Sequence, residues 1–194
     1  MEPLNLTPST WTEAAQTALQ IFDEFSMPYD TAPLEQIIHD LKGTAKLLYE
    51  RPTNNDAHLM FGNIHDAARG LMARHGIAYD REAMLSMLCR KQADYGPKNI
   101  TVFGTQGVAI RIHDKIERYL HLTRKNATPQ NETLTDTLYD IVGYAVVGIM
   151  NLKGEMTLPF SSSGQPFWVP KLLVGLVVGD RPGENWVLVA EAEQ

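Results

Sequence analysis

The chain has 194 residues, 44% of them hydrophobic, which suits one domain with a sizeable core and an appendage. Its single cysteine, Cys89, excludes an internal disulfide and a cysteine zinc cluster. The formal net charge of −6 speaks against a general binder of duplex nucleic acid.

The opening MEPLNLTPSTW has neither the basic nor the apolar region of a signal peptide. The longest apolar candidate, Ile141 to Leu152, is too short to span a bilayer. A cytoplasmic protein without a membrane partner is the expectation. Thr10 and Glu13 stand at capping-box spacing, predicting a first helix from Thr10 to about Ser26, closed by Pro28. A second helix is expected from Pro33 to Pro52, with Leu34, Ile37, Ile38, Leu41, Ala45 and Leu48 at helical spacing. Asn55 or Asp56 caps a third, which His75-Gly76 stops near Arg74. Asp80 caps a fourth, ended by Gly96 and Pro97, with Cys89 an inert thiol on its apolar side. A loop from Ile100 to Gly107 leads to a fifth helix, Val108 to Lys125. Asn131 caps a sixth, Glu132 to Lys153, ended by Gly154.

Residues 1–156 thus read as an all-α domain of about six helices. Residues 157–194 read as a Pro/Ser linker followed by a small β-hairpin, KLLVGLVV and WVLVA around GDRPGEN. A lone hairpin is marginal in water, so it needs the helices or a neighbouring subunit to pack on, and a homo-oligomer is expected.

Charge concentrates in one stretch. From Arg90 to Lys125 eight bases face three acids, a local +5 that leaves −11 for the rest. Such a patch suits a small anionic ligand better than a duplex. On the fifth helix Val108, Ile112, Ile116, Tyr119 and Leu120 form an apolar side, and His113, Glu117, His121 and Arg124 a solvated side. Arg111, Asp114, Lys115 and Arg118 form a third stripe, which is either an intrahelical ion-pair ladder or the wall of a polar cleft. On the sixth helix Glu132, Asp136 and Asp140 line a polar strip, with Tyr144 one turn on. Two aspartates a turn apart repel unless a base or a cation lies between them. Lys115 or Arg118 would serve structurally; Mg2+ (or Mn2+) would serve functionally, being oxygen-seeking and apt to keep waters for a phosphate. Lys98 and Asn99 follow a helix stop, and Gly104 and Gly107 precede the next helix N-terminus, a further place for an anion. The six histidines are dispersed, so zinc is not expected.

KQADYGPKN, RIHDKIERYLHL and NETLTDTLYDIVGYAVV together resemble the nucleotide modification associated domain 1 family of phages, over residues 80–153. Their order matches that family's K-x-x-DYG, R-x-x-DKI-x-R and E-S/T-L-x-D-x-x-x-D-x-x-x-Y-A elements. The helical motifs are also similar to the MazG-like all-α nucleoside triphosphate pyrophosphohydrolases. That resemblance implies a nucleotide ligand and, if the chain is phage-encoded, the host cytoplasm. It implies Asp114 with Glu117 and Asp136 with Asp140 as acidic pairs holding magnesium, here with DKIE in place of EExxE. Asp114, Asp140 and Glu117 would be catalytic, and Asp114, Asp136, Asp140 and Glu132 would hold the metal. Lys91, Asp94, Tyr95, Lys98, Asn99, Arg111, Lys115 and Arg118 would hold the ligand, with Tyr95 stacking on a base and Asp94 able to replace a missing ligand. The expected activity is release of pyrophosphate from a (deoxy)nucleoside triphosphate. The alternatives are a non-catalytic nucleotide-binding accessory to a base-modifying enzyme, or a virion structural protein.

Overall fold

Helix starts that the side chains specify organise the chain. In the computed structural model the described residues are 7–24, 29, 32–53, 55–125, 132–160, 167–170 and 186–189. Among them, helix α1 (Trp11–Glu24) opens on the expected box: the Glu13 amide donates to Thr10 Oγ1, and the Thr10 amide to Glu13 Oε2, both at 3.2 Å. The expected stops at Ser26 and Pro28 lie outside the described residues. Helix α2 (Leu34–Glu50) ends before Pro52, and α3 (Ala57–Arg74) ends before Gly76, whose φ is +65°. Helix α4 (Arg81–Tyr95) is capped by Asp80, which accepts from the Glu82 and Ala83 amides.

The expected loop from Ile100 to Gly107 is largely helical instead. A one-turn helix, α5 (Lys98–Thr101), fills part of it, and α6 (Gly104–Lys125) starts at Gly104 rather than Val108. Glycine makes the corner feasible twice. Gly104 takes φ +51°, and a Cβ on Gly107 would come 2.6 Å from that of Phe103. Two glycines therefore marked a tight helix entry, not a loop. Helix α7 (Leu134–Leu152) is capped by Thr133, whose Oγ1 accepts from the Asp136 amide at 3.1 Å. The helix begins after Glu132, not at it, and the expected cap Asn131 lies outside the described residues.

Helix α7 is central, packed along α3 and α6; α2 spans those two, and α1 and α4 cover much of the remainder. Its second half, with Ala145, Val146, Ile149 and Met150, is buried on nearly every side. Close approach to α3 depends on Gly148: a Cβ there would lie 2.4 Å from the Phe61 ring. Burying a side chain such as Phe61 contributes about 1.5–3 kcal/mol, so this seam is a main source of stability.

A 3-10 turn (Glu155–Thr157) follows α7 and returns the chain to α1. There the Trp11 amide donates to the Pro159 carbonyl at 2.8 Å, and the Trp11 and Phe160 rings meet edge-on at 5.8 Å. The body is all-α, and among the described residues no helix is long and apolar enough to cross a membrane. Strands β1 (Phe167–Pro170) and β2 (Trp186–Val189) pair antiparallel, Phe167 opposite Val189. Ser161 to Ser163 and KLLVGLVV lie outside the described residues.

Candidate functional site

Three helices wall a pocket of about 420 Å³: the second half of α4, the middle of α6 and the middle of α7. Lys91, Tyr95, Asn99, Arg111, Lys115, Glu132 and Asp140, all expected site residues, line it. Trp11, Gln92, Tyr144 and Met156 also belong to the wall.

The three-sector reading of α6 explains the placement. Ile112, Ile116 and Tyr119 are buried in the core, and His113, Glu117, His121 and Arg124 are exposed. Arg111, Lys115 and Arg118 lie half-buried between them. Asp114 does not join the cleft. It is exposed, because at about 100° per residue it stands roughly 100° round the helix from Lys115.

Asp140 is the hub. It is buried, 7% exposed, and carries two ammonium groups: Lys115 Nζ at 2.6 Å and Lys91 Nζ, also within hydrogen-bond reach. Lys115 also donates to both oxygens of Glu132, at 2.7 and 2.9 Å. Arg118 donates to the Glu132 carbonyl at 2.7 Å, and its Nε lies 3.5 Å from Glu132 Oε2. Burial alone would lower the Lys115 pKa, but its bonds to Asp140 and Glu132 outweigh that and hold it above the usual lysine value. Lys115 is therefore a fixed cation. Of the two bases expected to separate the aspartates, Lys115 does touch Asp140, while Arg118 serves Glu132 and Thr137.

Arg111 differs from the other cations. It donates to the Asn99 carbonyl at 3.1 Å and to Asn99 Oδ1 at 2.7 Å, and its guanidinium lies 6.0 Å from the centre of the Tyr144 ring. Among the described residues it makes no ion pair. It is held in place, and no described carboxylate cancels its charge.

The remaining expected residues lie apart. Asp136 folds back on its own helix start, accepting from the Thr133 amide at 3.0 Å and hydroxyl at 2.7 Å. The free N–H groups of a helix start claim it. Glu117 faces outward and pairs with Lys42 at 2.5 Å, which together with that hydrogen bond lowers its pKa. Asp94 and Lys98 are exposed and do not line the pocket. Gly104 and Gly107 are spent on the α6 entry, and the Gly107 amide donates to the Phe103 carbonyl at 3.1 Å.

The expected magnesium set, Asp114, Asp136, Asp140 and Glu132, does not converge. Among the described residues no three acids, histidines or cysteines form a metal-holding group. Only Asp140 and Glu132 share the cleft, and Lys91, Lys115 and Arg118 already hold them. A resident divalent ion would have to displace ammonium groups, so this donor set does not fit one.

Sequence reasoning did not find Trp11, Gln92 or Met156 as pocket walls. Their side of the pocket depends on the chain returning after α7, which no local pattern announces. Cys89 is buried, and that burial pushes its thiol up to about 12, as expected of an inert group. No family model matches the chain, and neither does any curated protein or solved structure.

Proposed function

We propose that the α4–α6–α7 pocket binds a small phosphorylated ligand, and that the chain acts as a nucleotide-binding accessory protein. Arg111 is the observation that carries this reading. A guanidinium that among the described residues has no carboxylate partner, and that Asn99 holds through Nη2 in a lined pocket, is a positive charge placed for an anion. Lys91 and Lys115 line the same pocket, and Tyr144 and Tyr95 add aromatic surface for a planar group. A nucleotide is the ligand class implied by the resemblance to the nucleotide modification associated domain 1 family.

The hydrolase reading, with magnesium and pyrophosphate release, asks for a free carboxylate to hold a metal or take a proton. Asp140 is bound by two lysines, which supports binding over turnover. Mg2+ or Mn2+ then enters as the ligand's counter-ion. A homo-oligomer remains part of the proposal, supported by the exposed Val102, Phe103 and Ile110 beside the α6 entry.

Calorimetry with a panel of canonical and modified nucleotides, paired with a product assay, tests the reading. Binding without turnover is the expected result, weakened in Arg111→Gln. Magnesium-dependent pyrophosphate release that disappears in Asp140→Asn would establish the hydrolase instead. No binding of any phosphorylated ligand would end both.

A further inference from the structure

Charge balance inside the pocket narrows the ligand further. Lys91, Lys115 and Arg111 line it, and Arg118 is tied to it through Glu132. Asp140 and Glu132 oppose them, so the cluster around the pocket, three lining cations and Arg118 behind Glu132 against two carboxylates, nets +2. We infer that the pocket is built for a single phosphomonoester dianion, and that a triphosphate enters only together with a divalent cation. The inference rests on the reading of the pocket as a phosphate site.

The three lining cations have unequal freedom, and that suits one phosphate group. Arg111 is fixed on Asn99 through Nη2. Lys115, with its side chain 18% exposed, is locked between Asp140 and Glu132. Lys91 is 39% exposed and has one carboxylate partner among the described residues, so its flexible stem can swing from Asp140 to a ligand. Arg111 and the mobile Lys91 can donate to the terminal oxygens of a monoester, while Lys115, whose three N–H groups already meet Asp140 and Glu132, adds positive charge beside them. A monoester carries about −1.5 to −2 at neutral pH, which cancels the pocket's excess. A triphosphate carries roughly twice that charge, and the surplus would lie uncompensated in a half-buried cleft with Asp140 and Glu132. A magnesium ion riding on the triphosphate removes that surplus, with no resident metal site required.

Isothermal titration of the full chain with one nucleoside as its 5′-monophosphate and as its 5′-triphosphate tests this, each in EDTA and in excess Mg2+. In EDTA the monophosphate should bind at least about tenfold tighter, and Mg2+ should shrink that gap. Glu132→Gln, which raises the cluster to +3, should shrink the gap in EDTA as well. A triphosphate binding in EDTA as tightly as the monophosphate would overturn this inference and leave the phosphate site standing. Binding of neither nucleotide under either condition, or binding unchanged in Arg111→Gln, would overturn the inference and the phosphate site together.

Discussion

The two halves of α7 solve opposite problems. The second half meets α3 with no charge at all: Gly148 lets the Phe61 ring close to the helix backbone, and Ala145, Val146 and Ile149 fill the space around it. The first half meets α6 and α4 through Asp140, whose charge is shared by Lys115 and Lys91. The apolar seam gains free energy from fit alone. The polar seam offsets the desolvation of its own ions, and so contributes little stability but a fixed field. One helix thus anchors the fold with one half and presents charge with the other.

The comparison predicts unequal costs. Phe61→Ala, on the apolar seam, should cost about 3–5 kcal/mol in denaturant unfolding. Gly148→Ala should be damaging alone and much milder in the Phe61→Ala background, since the ring it strikes is gone. Additive costs would mean that the seam is looser than described. Thr133→Ala, which removes the α7 cap, should cost about 1 kcal/mol. Asp140→Asn should cost less than Phe61→Ala, because Lys115 keeps Glu132 and Lys91 reaches water. A loss on the Phe61 scale would make the polar half a structural anchor and abolish the contrast.

The smallest effect is a slope with pH, on α3. His65 is buried between the Phe22 ring at 4.4 Å and the Tyr79 ring at 5.9 Å, and Nδ1 meets Asp66 at 3.2 Å. Burial lowers its pKa, against the raising effect of Asp66. The unfolded chain therefore takes up a proton first, near pH 6.5, the ordinary histidine value. Stability should fall as pH drops below that value towards the lower folded pKa. His65→Leu should flatten the unfolding midpoint over that range, and an unchanged slope would show that His65 is not its source.

Local chemistry made much of this molecule legible in advance. The Thr10–Glu13 box, the Asp80 cap and the Gly96 stop each depend on neighbours within a few residues, and each formed. The same locality misled at Asp136, which shares a turn with Asp140 but answers to Thr133. The spacing Thr133-x-x-Asp136 was a visible capping signal that competed with the metal reading. Lys91 and Asp140 meet across 49 positions, and periodicity on one helix cannot show which distant lysine turns towards it. Glu117 shows the same limit, since Lys42 claims it from α2. Arg111 and Lys115 were legible because a helix fixes direction, and the core fixes which direction is inward.

The bond from the Trp11 amide to the Pro159 carbonyl has a consequence in time. Trp11 and Met156 both line the pocket, and they stand near opposite ends of the helical body. A ribosome releases the first long before the last. Helices α1 to α6 can begin to associate on the nascent chain, but the clasp, and with it the pocket wall, closes only after Phe160 has emerged. Binding competence should therefore lag helix formation in synthesis, and a stalled chain lacking its last few turns would present an open cleft.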